Sequence, residues 1–339
     1  MSDTPAILFV ELEEWERKYM QNQCSPECHL FTVPTRLETV TDPQILAETV
    51  VLSPFVHSKC SAEALAKLPN LRAIATRSTG HDHIDLAYCR GRDIIVCNVP
   101  RYGDNTVAEH TFALILALTR KIHRCYERTV RGDFSLAGLQ GTDLQGKTFG
   151  CLGTGHIGLH ALRIARGFDM RRLAFDIYPN HSAARELGFE YVDLDTLLRQ
   201  SDIVSLHLPY TPQTHHLIDA AALARMKPGT ILVNTARGPL VDSQALITAL
   251  RSGHLGGAAL DVLEAETAIG EEAELLARDY DVDSLRAVVQ NHALLRMENV
   301  IITPHVAFNS KEAVMRILST TVQNIHGILH GQPQNVVAG

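Results

Sequence analysis

Three side chains suited to carboxylate and proton chemistry follow predicted strands in the second half of the chain. Arg237 comes just after one strand, Asp261 ends another, and His305 follows a third. The carboxyl ends of parallel strands meet at one edge of a sheet, and such folds bind ligands there. An arginine holds a carboxylate through paired hydrogen bonds, and a histidine exchanges a proton near neutral pH. Each residue alone is more often structural, but the three together predict a site for a small acid.

A glycine-rich turn lies between a predicted strand at 149–152 and a predicted helix at 159–168. Gly153, Gly155 and Gly158 have the G-x-G-x-x-G spacing of dinucleotide-binding turns. Gly153 permits the tight turn, Gly155 lets backbone N–H groups approach a pyrophosphate, and Gly158 lets the helix pack on the strand. The turn therefore predicts a dinucleotide whose phosphates face the N-terminus of the helix.

The strand predicted at 173–175 ends in Asp176, at about the distance where such folds place an acidic residue. The carboxylate would accept hydrogen bonds from both ribose hydroxyls and would repel a 2′-phosphate. Asp176 therefore predicts NAD rather than NADP.

The length of 339 residues predicts about two domains, and 45% hydrophobic residues allow a sizeable core. The net charge of −7 argues against binding to nucleic acid or to an anionic membrane, because both need a basic surface. The apolar run at 6–10 is too short for a signal peptide, and the run at 112–118 is too short to span a membrane. We therefore expect no nucleic-acid or membrane partner.

The seven cysteines are scattered along the chain. An odd number without a pattern of paired spacings predicts reduced thiols in a cytoplasmic protein. Cys24, Cys28 and His29 lie close enough to suggest a metal site, but no second pair of ligands has a matching spacing. We therefore predict no metal.

Short strands and helices alternate along both halves of the chain, which is the pattern of parallel sheets covered by helices. The strands predicted in the first hundred residues are 6–10, 29–33, 49–52, 71–76 and 94–99. The strands predicted in the second half are 149–152, 173–175, 203–208, 230–234, 257–262 and 300–303. A final helix is expected at 309–329.

A helix that is apolar on nearly every face separates the two series. Thr106 and Glu109 have the spacing of a capping box, which predicts that the helix starts near Thr106. A helix apolar on all sides must be buried, either between domains or between subunits. We take it as the best candidate for a homodimer contact.

The fold expected from this pattern is α/β, with two doubly wound parallel-sheet domains. A glycine turn belongs after the first strand of its unit, so the cofactor domain cannot start at residue 1. We expect a Rossmann-type NAD domain at 105–307, inserted in a flavodoxin-like substrate domain made of 1–104 and 308–339.

With these motifs the chain resembles the D-isomer-specific 2-hydroxyacid dehydrogenases over almost its whole length. Tyr102 and Phe308 occupy positions typical of the D-lactate dehydrogenase branch, which the chain resembles most. The other matching motifs, in chain order, are Gly153 to Gly158, Asn234 to Gly238 around Arg237, Asp261 with Glu266, and Thr303 to His305.

The resemblance implies NAD-dependent reduction of a small 2-keto acid to the D-2-hydroxy acid. His305 would donate the proton, Arg237 would hold the substrate carboxylate, and Glu266 would bond to His305 and favour its imidazolium form. The remaining substrate contacts implied are Thr79, Gly80, Tyr102 and Phe308. The cofactor contacts implied are Gly153, Gly155, His156, Ile157, Gly158, Asp176, His207, Pro209, Thr235, Ala236 and Asp261, with Asp261 on the nicotinamide amide.

Several alternatives remain open at the level of sequence. Pyruvate is the favoured keto acid, with reduction of glyoxylate, hydroxypyruvate or phenylpyruvate as rivals. A protein of another class, an NAD-sensing corepressor, shares the same fold. The acidic segment 267–299 is expected to form a solvated pair of surface helices or a partner-binding flap.

Overall fold

The computed structural model describes residues 4–24, 28–264 and 282–337. The chain forms two compact units: unit 1 combines Met1–Tyr102 with Ser310–Gly339, and unit 2 is Gly103–Asn309. The predicted catalytic residue Glu266 and residues 267–281 of the acidic segment lie outside the described residues. The assignment of one unit to substrate and the other to cofactor stays a prediction at this point.

In the described part of unit 1, five parallel strands form one sheet. They are β1 (Ala6–Val10), β2 (His29–Val33), β3 (Thr49–Ser53), β4 (Ala73–Ala75) and β5 (Ile95–Cys97). The sheet order β2-β1-β3-β4-β5 is that of flavodoxin-like folds. The interior strand β1 is buried along its whole length, which explains its unbroken apolar sequence. The prediction of a five-stranded parallel sheet is confirmed.

The helices of unit 1 are α1 (Glu14–Cys24), α2 (Pro43–Glu48), α3 (Ala62–Ala66), α4 (Leu86–Gly91) and α13 (Lys311–Leu329). Ser61 caps α3 by accepting a hydrogen bond from Ala64 N. Helix α13 packs on α1 and β4, so the two ends of the chain share one core.

In the described part of unit 2, seven parallel strands form the second sheet. They are β6 (Thr148–Leu152), β7 (Arg171–Phe175), β8 (Glu190–Tyr191), β9 (Ile203–Leu206), β10 (Thr230–Asn234), β11 (Leu255–Leu260) and β12 (Val300–Ile302). Their order, β12-β11-β10-β9-β6-β7-β8, is that of a Rossmann fold with an added edge strand. The prediction of six strands missed β8, because two residues are too few to show a strand pattern.

The helices of unit 2 that precede the glycine turn are α5 (Asp104–Thr119) and α6 (Ile122–Val130). The remaining ones are α7 (His156–Gly167), α8 (His181–Leu187), α9 (Leu194–Gln200), α10 (Ala220–Arg225), α11 (Ser243–Arg251) and α12 (Val282–Leu295). In the described part of the chain, no helix combines the length and the apolar character that crossing a membrane requires.

Helix α5 begins earlier than the sequence predicted. Its N-cap is Gly103, and Thr106 is a buried residue of the first turn, so the prediction of a capping box was wrong. The apolar faces of α5 pack within unit 2, on α7 and on the sheet. Phe112, for example, lies 5.4 Å from the ring of Phe149 and 5.7 Å from that of Phe168. Packing inside unit 2 therefore explains the apolar character that suggested a subunit contact.

Candidate active site

The glycine turn after β6 depends on the missing side chains of two glycines. Gly153 has φ of +95°, and a Cβ there would lie 2.5 Å from the carbonyl oxygen of His207. A Cβ on Gly158 would overlap the carbonyl oxygen of Gly153. At Gly155, the N-cap of α7, a Cβ would meet nothing within 4 Å. The turn thus leaves open space at the helix N-terminus, which fits a diphosphate.

Asp176 follows β7 beside the glycine turn. Its Oδ2 accepts hydrogen bonds from the backbone N (2.6 Å) and the Oγ1 (2.9 Å) of Thr154, and its Oδ1 accepts from Tyr178 N (2.9 Å). Burial raises the pKa of Asp176, but these hydrogen bonds outweigh it and hold the pKa below its usual value. The carboxylate is therefore ionised at neutral pH, which fits a ribose diol and opposes a 2′-phosphate.

Two hydroxyl groups that the sequence did not predict support Asp176. Because the Thr154 hydroxyl donates to Asp176, it accepts the hydrogen bond from Tyr191 Oη at 2.7 Å. Tyr191 Oη in turn accepts a hydrogen bond from Asn180 N at 2.9 Å. Tyr191 belongs to β8, the strand that sequence reasoning missed, so its side chain could not be placed near the cofactor turn.

His207 follows β9 and packs its carbonyl oxygen against Gly153. Its Nε2 lies 2.9 Å from the hydroxyl of Ser205. Burial of the ring lowers the pKa of His207 to about 4, although part of the residue stays accessible. The imidazole is therefore neutral at neutral pH, so His207 shapes the turn without adding charge. Pro209, its neighbour along the loop, is exposed.

The turn after β10 carries Arg237 and is shaped by Asn234, a buried residue to which the sequence assigned no role. The Asn234 amide donates to the carbonyl oxygen of Arg237 at 2.8 Å and accepts from Ala236 N at 3.0 Å. A Cβ on Gly238 would overlap the backbone of Leu263, so this turn packs directly on the segment after β11. The half-buried Arg237 is thereby fixed at the carboxyl edge of the sheet.

Asp261, at the end of β11, is buried and holds the turn after β12. Its Oδ1 accepts hydrogen bonds from Thr303 Oγ1 (2.5 Å) and Val306 N (2.9 Å), and its Oδ2 accepts from Ala307 N (2.8 Å). Burial raises the pKa of Asp261, but hydrogen bonds from His110, Thr303 and the backbone outweigh this and lower it. The contact predicted between Asp261 and the nicotinamide stays a prediction, since both its oxygens already bind this turn.

His305 lies in that turn with a backbone φ of +53°. Few residues other than glycine adopt such a conformation, which costs about 1–3 kcal/mol. Its backbone N donates to the carbonyl oxygens of Asp261 (2.9 Å) and Thr303 (3.0 Å). The proposed partner of its ring, Glu266, lies outside the described residues. Glu264, two residues before Glu266, has its Oε1 2.7 Å from His216 Nε2.

In unit 1 the segment after β4 presents two backbone amides. The carbonyl oxygen of Thr79 accepts from Asn98 Nδ2 at 2.8 Å, and that of Gly80 accepts from Ser78 Oγ at 2.6 Å. Within the described ranges, neither the Thr79 N–H nor the Gly80 N–H donates a hydrogen bond. Both amides therefore suit an anion such as a carboxylate. Tyr102 is half-buried, and its carbonyl oxygen accepts from Arg316 Nε.

Two charged residues of unit 1 organise the segment 53–58, which begins at the end of β3. Arg77 is fully buried and donates to the carbonyl oxygens of Ser53, Val10 and Glu11. The Glu11 carboxylate accepts from the backbone N of Phe55, His57 and Ser58. Burial lowers the pKa of Arg77 to about 10, so it stays cationic at neutral pH. Sequence patterns did not indicate this pair, because its partners are backbone atoms of distant segments.

Comparison with known proteins identifies the family to which this fold and these motifs belong. A model of the NAD-binding domain of D-isomer specific 2-hydroxyacid dehydrogenases matches residues 112–307, more than half of the chain. A D-lactate dehydrogenase of Escherichia coli strain K12 is 42% identical over 283 residues, which are 82% of this chain and 83% of that protein. An aromatic 2-oxoacid reductase of Clostridium sporogenes is 37% identical over 275 residues, covering 79% of this chain and 80% of that protein.

The solved structures agree with the sequence relatives. A crystal structure of D-lactate dehydrogenase from Aquifex aeolicus, complexed with NAD and lactic acid, matches with a TM-score of 0.88. It is 34% identical, and the match covers 98% of this chain and 99% of that one. The likeness thus spans both units and includes the glycine turn. The chain belongs to the D-isomer-specific 2-hydroxyacid dehydrogenases and is an NAD-dependent oxidoreductase.

Proposed function

We propose that this enzyme reduces a small 2-keto acid, with pyruvate favoured, to the corresponding D-2-hydroxy acid. One observation carries the proposal: the turns of Arg237 and His305 follow β10 and β12, on either side of β11 in one sheet. A carboxylate-binding group and a proton donor therefore lie at the same edge, which is what a keto acid requires.

The chemistry needs a hydride at the carbonyl carbon and a proton at the carbonyl oxygen. NADH, when bound, supplies the hydride. In the proposal, Arg237 binds the carboxylate through its planar guanidinium and keeps the carbonyl in one orientation. His305 gives its proton to the carbonyl oxygen as negative charge develops there, and Glu266 keeps the imidazole in its protonated form. In the reverse direction His305 accepts the proton.

The chain's other contributions are to binding. We propose that Asp176 takes the ribose hydroxyls, and that the residues of the glycine turn, with His156 and Ile157, hold the diphosphate. His207, Pro209, Thr235, Ala236 and Asp261 would line the rest of the cofactor site. The amides of Thr79 and Gly80 would bind the substrate carboxylate, and Tyr102 and Phe308 would limit the size of its side chain.

The substrate is tested by following NADH oxidation with pyruvate, 2-ketobutyrate, oxaloacetate, glyoxylate, hydroxypyruvate and phenylpyruvate. We expect the highest kcat/KM with pyruvate and a D-lactate product. One methylene changes discrimination by only about 1–3 kcal/mol, so 2-ketobutyrate should follow closely. A preference for phenylpyruvate would instead assign the chain to aromatic keto acids, as in the Clostridium relative. Turnover of none of the six acids would favour an NAD-sensing binding protein.

The two catalytic assignments are tested by His305→Gln and Arg237→Lys. We expect His305→Gln to lower kcat about 10²- to 10⁴-fold, the usual contribution of a general acid, with NADH binding nearly unchanged. Arg237→Lys should raise the KM for pyruvate strongly, because an ammonium lacks the paired geometry of a guanidinium. Equal loss of NADH binding in His305→Gln, or an unchanged KM in Arg237→Lys, would contradict the respective role.

We also propose that the enzyme is a cytoplasmic homodimer. A row of large apolar side chains lies exposed on α6 and just after it: Ile122, Tyr126, Val130, Phe134 and Leu136. Tyr126 is 71% exposed and Leu136 is 85% exposed. Exposed apolar patches of this kind commonly mark protein interfaces, and a second copy presents the same patch. The contact is thus proposed for α6 rather than for α5.

Light scattering of Tyr126→Glu with Val130→Asp tests the dimer. Charges in the patch should convert a dimer into a monomer. Val289→Asp is the matched control, because Val289 is 69% exposed but lies on α12. A wild-type monomer, or a double variant that stays dimeric, would contradict the proposed interface.

A further inference from the structure

Helix α5 contacts both of the turns that carry the proposed catalytic residues. His110 Nε2 lies 3.1 Å from the hydroxyl oxygen of Thr303, in the turn of His305. The next residue, Thr111, has its hydroxyl 2.9 Å from that of Thr235, in the turn of Arg237. Two neighbours on one helix therefore bind the turns that follow β12 and β10.

The direction of each hydrogen bond follows from its neighbours. The hydroxyl of Thr303 donates to Asp261, so it must accept from the N–H on His110 Nε2. His110 Nε2 also lies 3.5 Å from Asp261 Oδ1. His110 thus completes the hydrogen bonding around the carboxylate that holds the turn after β12.

The hydroxyl of Thr111 donates to the carbonyl oxygen of Val107, so it must accept from Thr235. Both threonine residues are buried, so leaving either hydroxyl unpaired would be destabilising. The helix therefore fixes the Thr235 side chain, two residues before Arg237.

We infer that His110 and Thr111 are positioning residues that set the spacing between the turn of Arg237 and the turn of His305. The inference rests on the proposed function, because it takes Arg237 and His305 as the groups that meet the keto acid. The left-handed backbone of His305 needs this support: its turn is held through Asp261 and Thr303, and His110 binds both. Neither positioning residue has to contact the substrate.

The test uses pairs of variants that remove or restore one hydrogen bond. His110→Phe removes the donor and His110→Gln keeps an N–H; Thr111→Val removes the acceptor and Thr111→Ser keeps it. We expect kcat for the best keto acid to fall about 10- to 100-fold in His110→Phe and Thr111→Val, since small misplacements of reacting groups have such effects. The Gln and Ser variants should recover most of this loss. Because the lost hydrogen bonds are buried, the melting temperature should fall by a few degrees, as in the control variants below.

Two control variants lose similar hydrogen bonds elsewhere in unit 2. His254→Phe removes a bond from the ring to the carbonyl oxygen of Leu223, before β11 and so at the opposite edge of the sheet. Thr119→Val removes a buried hydroxyl from the same helix, where, among the described residues, it bonds to the helix backbone alone. Both should keep wild-type kcat. A loss in the controls equal to that in the test variants would overturn the inference.

A double variant separates positioning from general stability. In the His305→Gln background, His110→Phe should not lower the single-turnover rate constant any further, because the side chain that His110 positions is absent. An additive loss would overturn the role of His110. Amide hydrogen exchange of the peptide 303–309 is a second measurement, and it does not depend on catalysis. His110→Phe should speed the exchange of the Val306 and Ala307 amides, whereas His110→Gln should not.

These arms distinguish the two possible failures. If wild-type enzyme reduces no keto acid, the proposed function fails, and the exchange measurement still decides whether His110 holds the turn. If wild-type enzyme is active but kcat and amide exchange in His110→Phe equal those of wild type, the inference alone fails.

Discussion

The glycine turn after β6 and the His305 turn after β12 both lie at the carboxyl edge of the same parallel sheet. They are stabilised in different ways. In the glycine turn, Gly153 adopts a positive φ that glycine tolerates because it has no side chain. Close packing at Gly158 leaves no room for a side chain. In the His305 turn a residue with a side chain adopts φ of +53° because the Asp261 carboxylate binds the backbone amides that follow it.

The difference follows from the role that we propose for each turn. A turn that cradles a diphosphate needs backbone N–H groups and space, and glycine provides both. A turn that delivers a proton through an imidazole must carry histidine at that position and cannot carry glycine. Its positive φ must therefore be stabilised by other residues. Those residues come from β11 and α5, far away in the sequence. The comparison predicts that the glycine turn fails through steric overlap and the His305 turn through lost hydrogen bonds.

The largest effect is expected from Gly158→Ala. The added methyl group overlaps the carbonyl oxygen of Gly153, so the helix must move away from the strand. We expect a loss of about 3 kcal/mol or more in the free energy of unfolding, at the upper end for overpacking. Urea unfolding followed by circular dichroism measures it.

Two other glycines of the same region sharpen this prediction. Gly155→Ala meets no atom within 4 Å, so stability should hold while NADH affinity falls, because the methyl group takes space meant for the diphosphate. Gly167→Ala, also without contacts and at the end of α7, should be neutral or stabilising by up to about 1 kcal/mol. Equal stability of all three variants would contradict the steric account.

Asp261→Asn is expected to have the next largest effect. An asparagine offers one acceptor where the turn needs two, so an amide of Val306 or Ala307 loses its partner at roughly 1–3 kcal/mol. The pKa of Asp261 is lowered in the folded protein, so its contribution is present above the unfolded value near 3.8 and is lost as pH falls through the folded value. The wild type should therefore lose stability below about pH 4, and the variant should lose less. If the free energies of unfolding of the wild type and of Asp261→Asn fell equally between pH 6 and pH 3, this prediction would be wrong.

Asp176→Ala should change cofactor preference by a smaller free energy. In the proposed cofactor site, removing the ionised carboxylate would remove both the contact with the ribose and the repulsion of a 2′-phosphate. We expect the NADH-to-NADPH ratio of kcat/KM to fall about tenfold or more, which is about 1.4 kcal/mol. An unchanged ratio would mean that another residue reads the ribose. The His305 turn should be unaffected, so kcat with saturating NADH should stay within about twofold.

The same contrast explains how much the sequence could predict. The glycine turn, Asp176 and the strand order were accessible because glycine spacing and apolar runs are local signals. Asn234 and His110 were not, since their roles depend on hydrogen bonds to backbone or side chains that the fold brings close. The start of α5 was placed too late because Thr106 and Glu109 matched a local motif, whereas the helix begins at Asp104 with no side-chain cap.

The smallest effect is expected from Tyr191→Phe, which tests whether the glycine turn also relies on hydrogen bonds. The Tyr191 hydroxyl donates to Thr154, which donates to Asp176, so its removal leaves the carboxylate in place but less restrained. A neutral hydrogen bond of this kind contributes about 0.5–1.5 kcal/mol. We expect KM for NADH to rise a few-fold, with kcat and the KM for the keto acid unchanged. Thr154→Val should have a larger effect in the same direction, because Thr154 contacts Asp176 directly. If Tyr191→Phe matched the wild type while Thr154→Val did not, the hydrogen bond from Tyr191 would not contribute to cofactor binding. Beyond the bonds from Thr154, the glycine turn would then depend on steric fit.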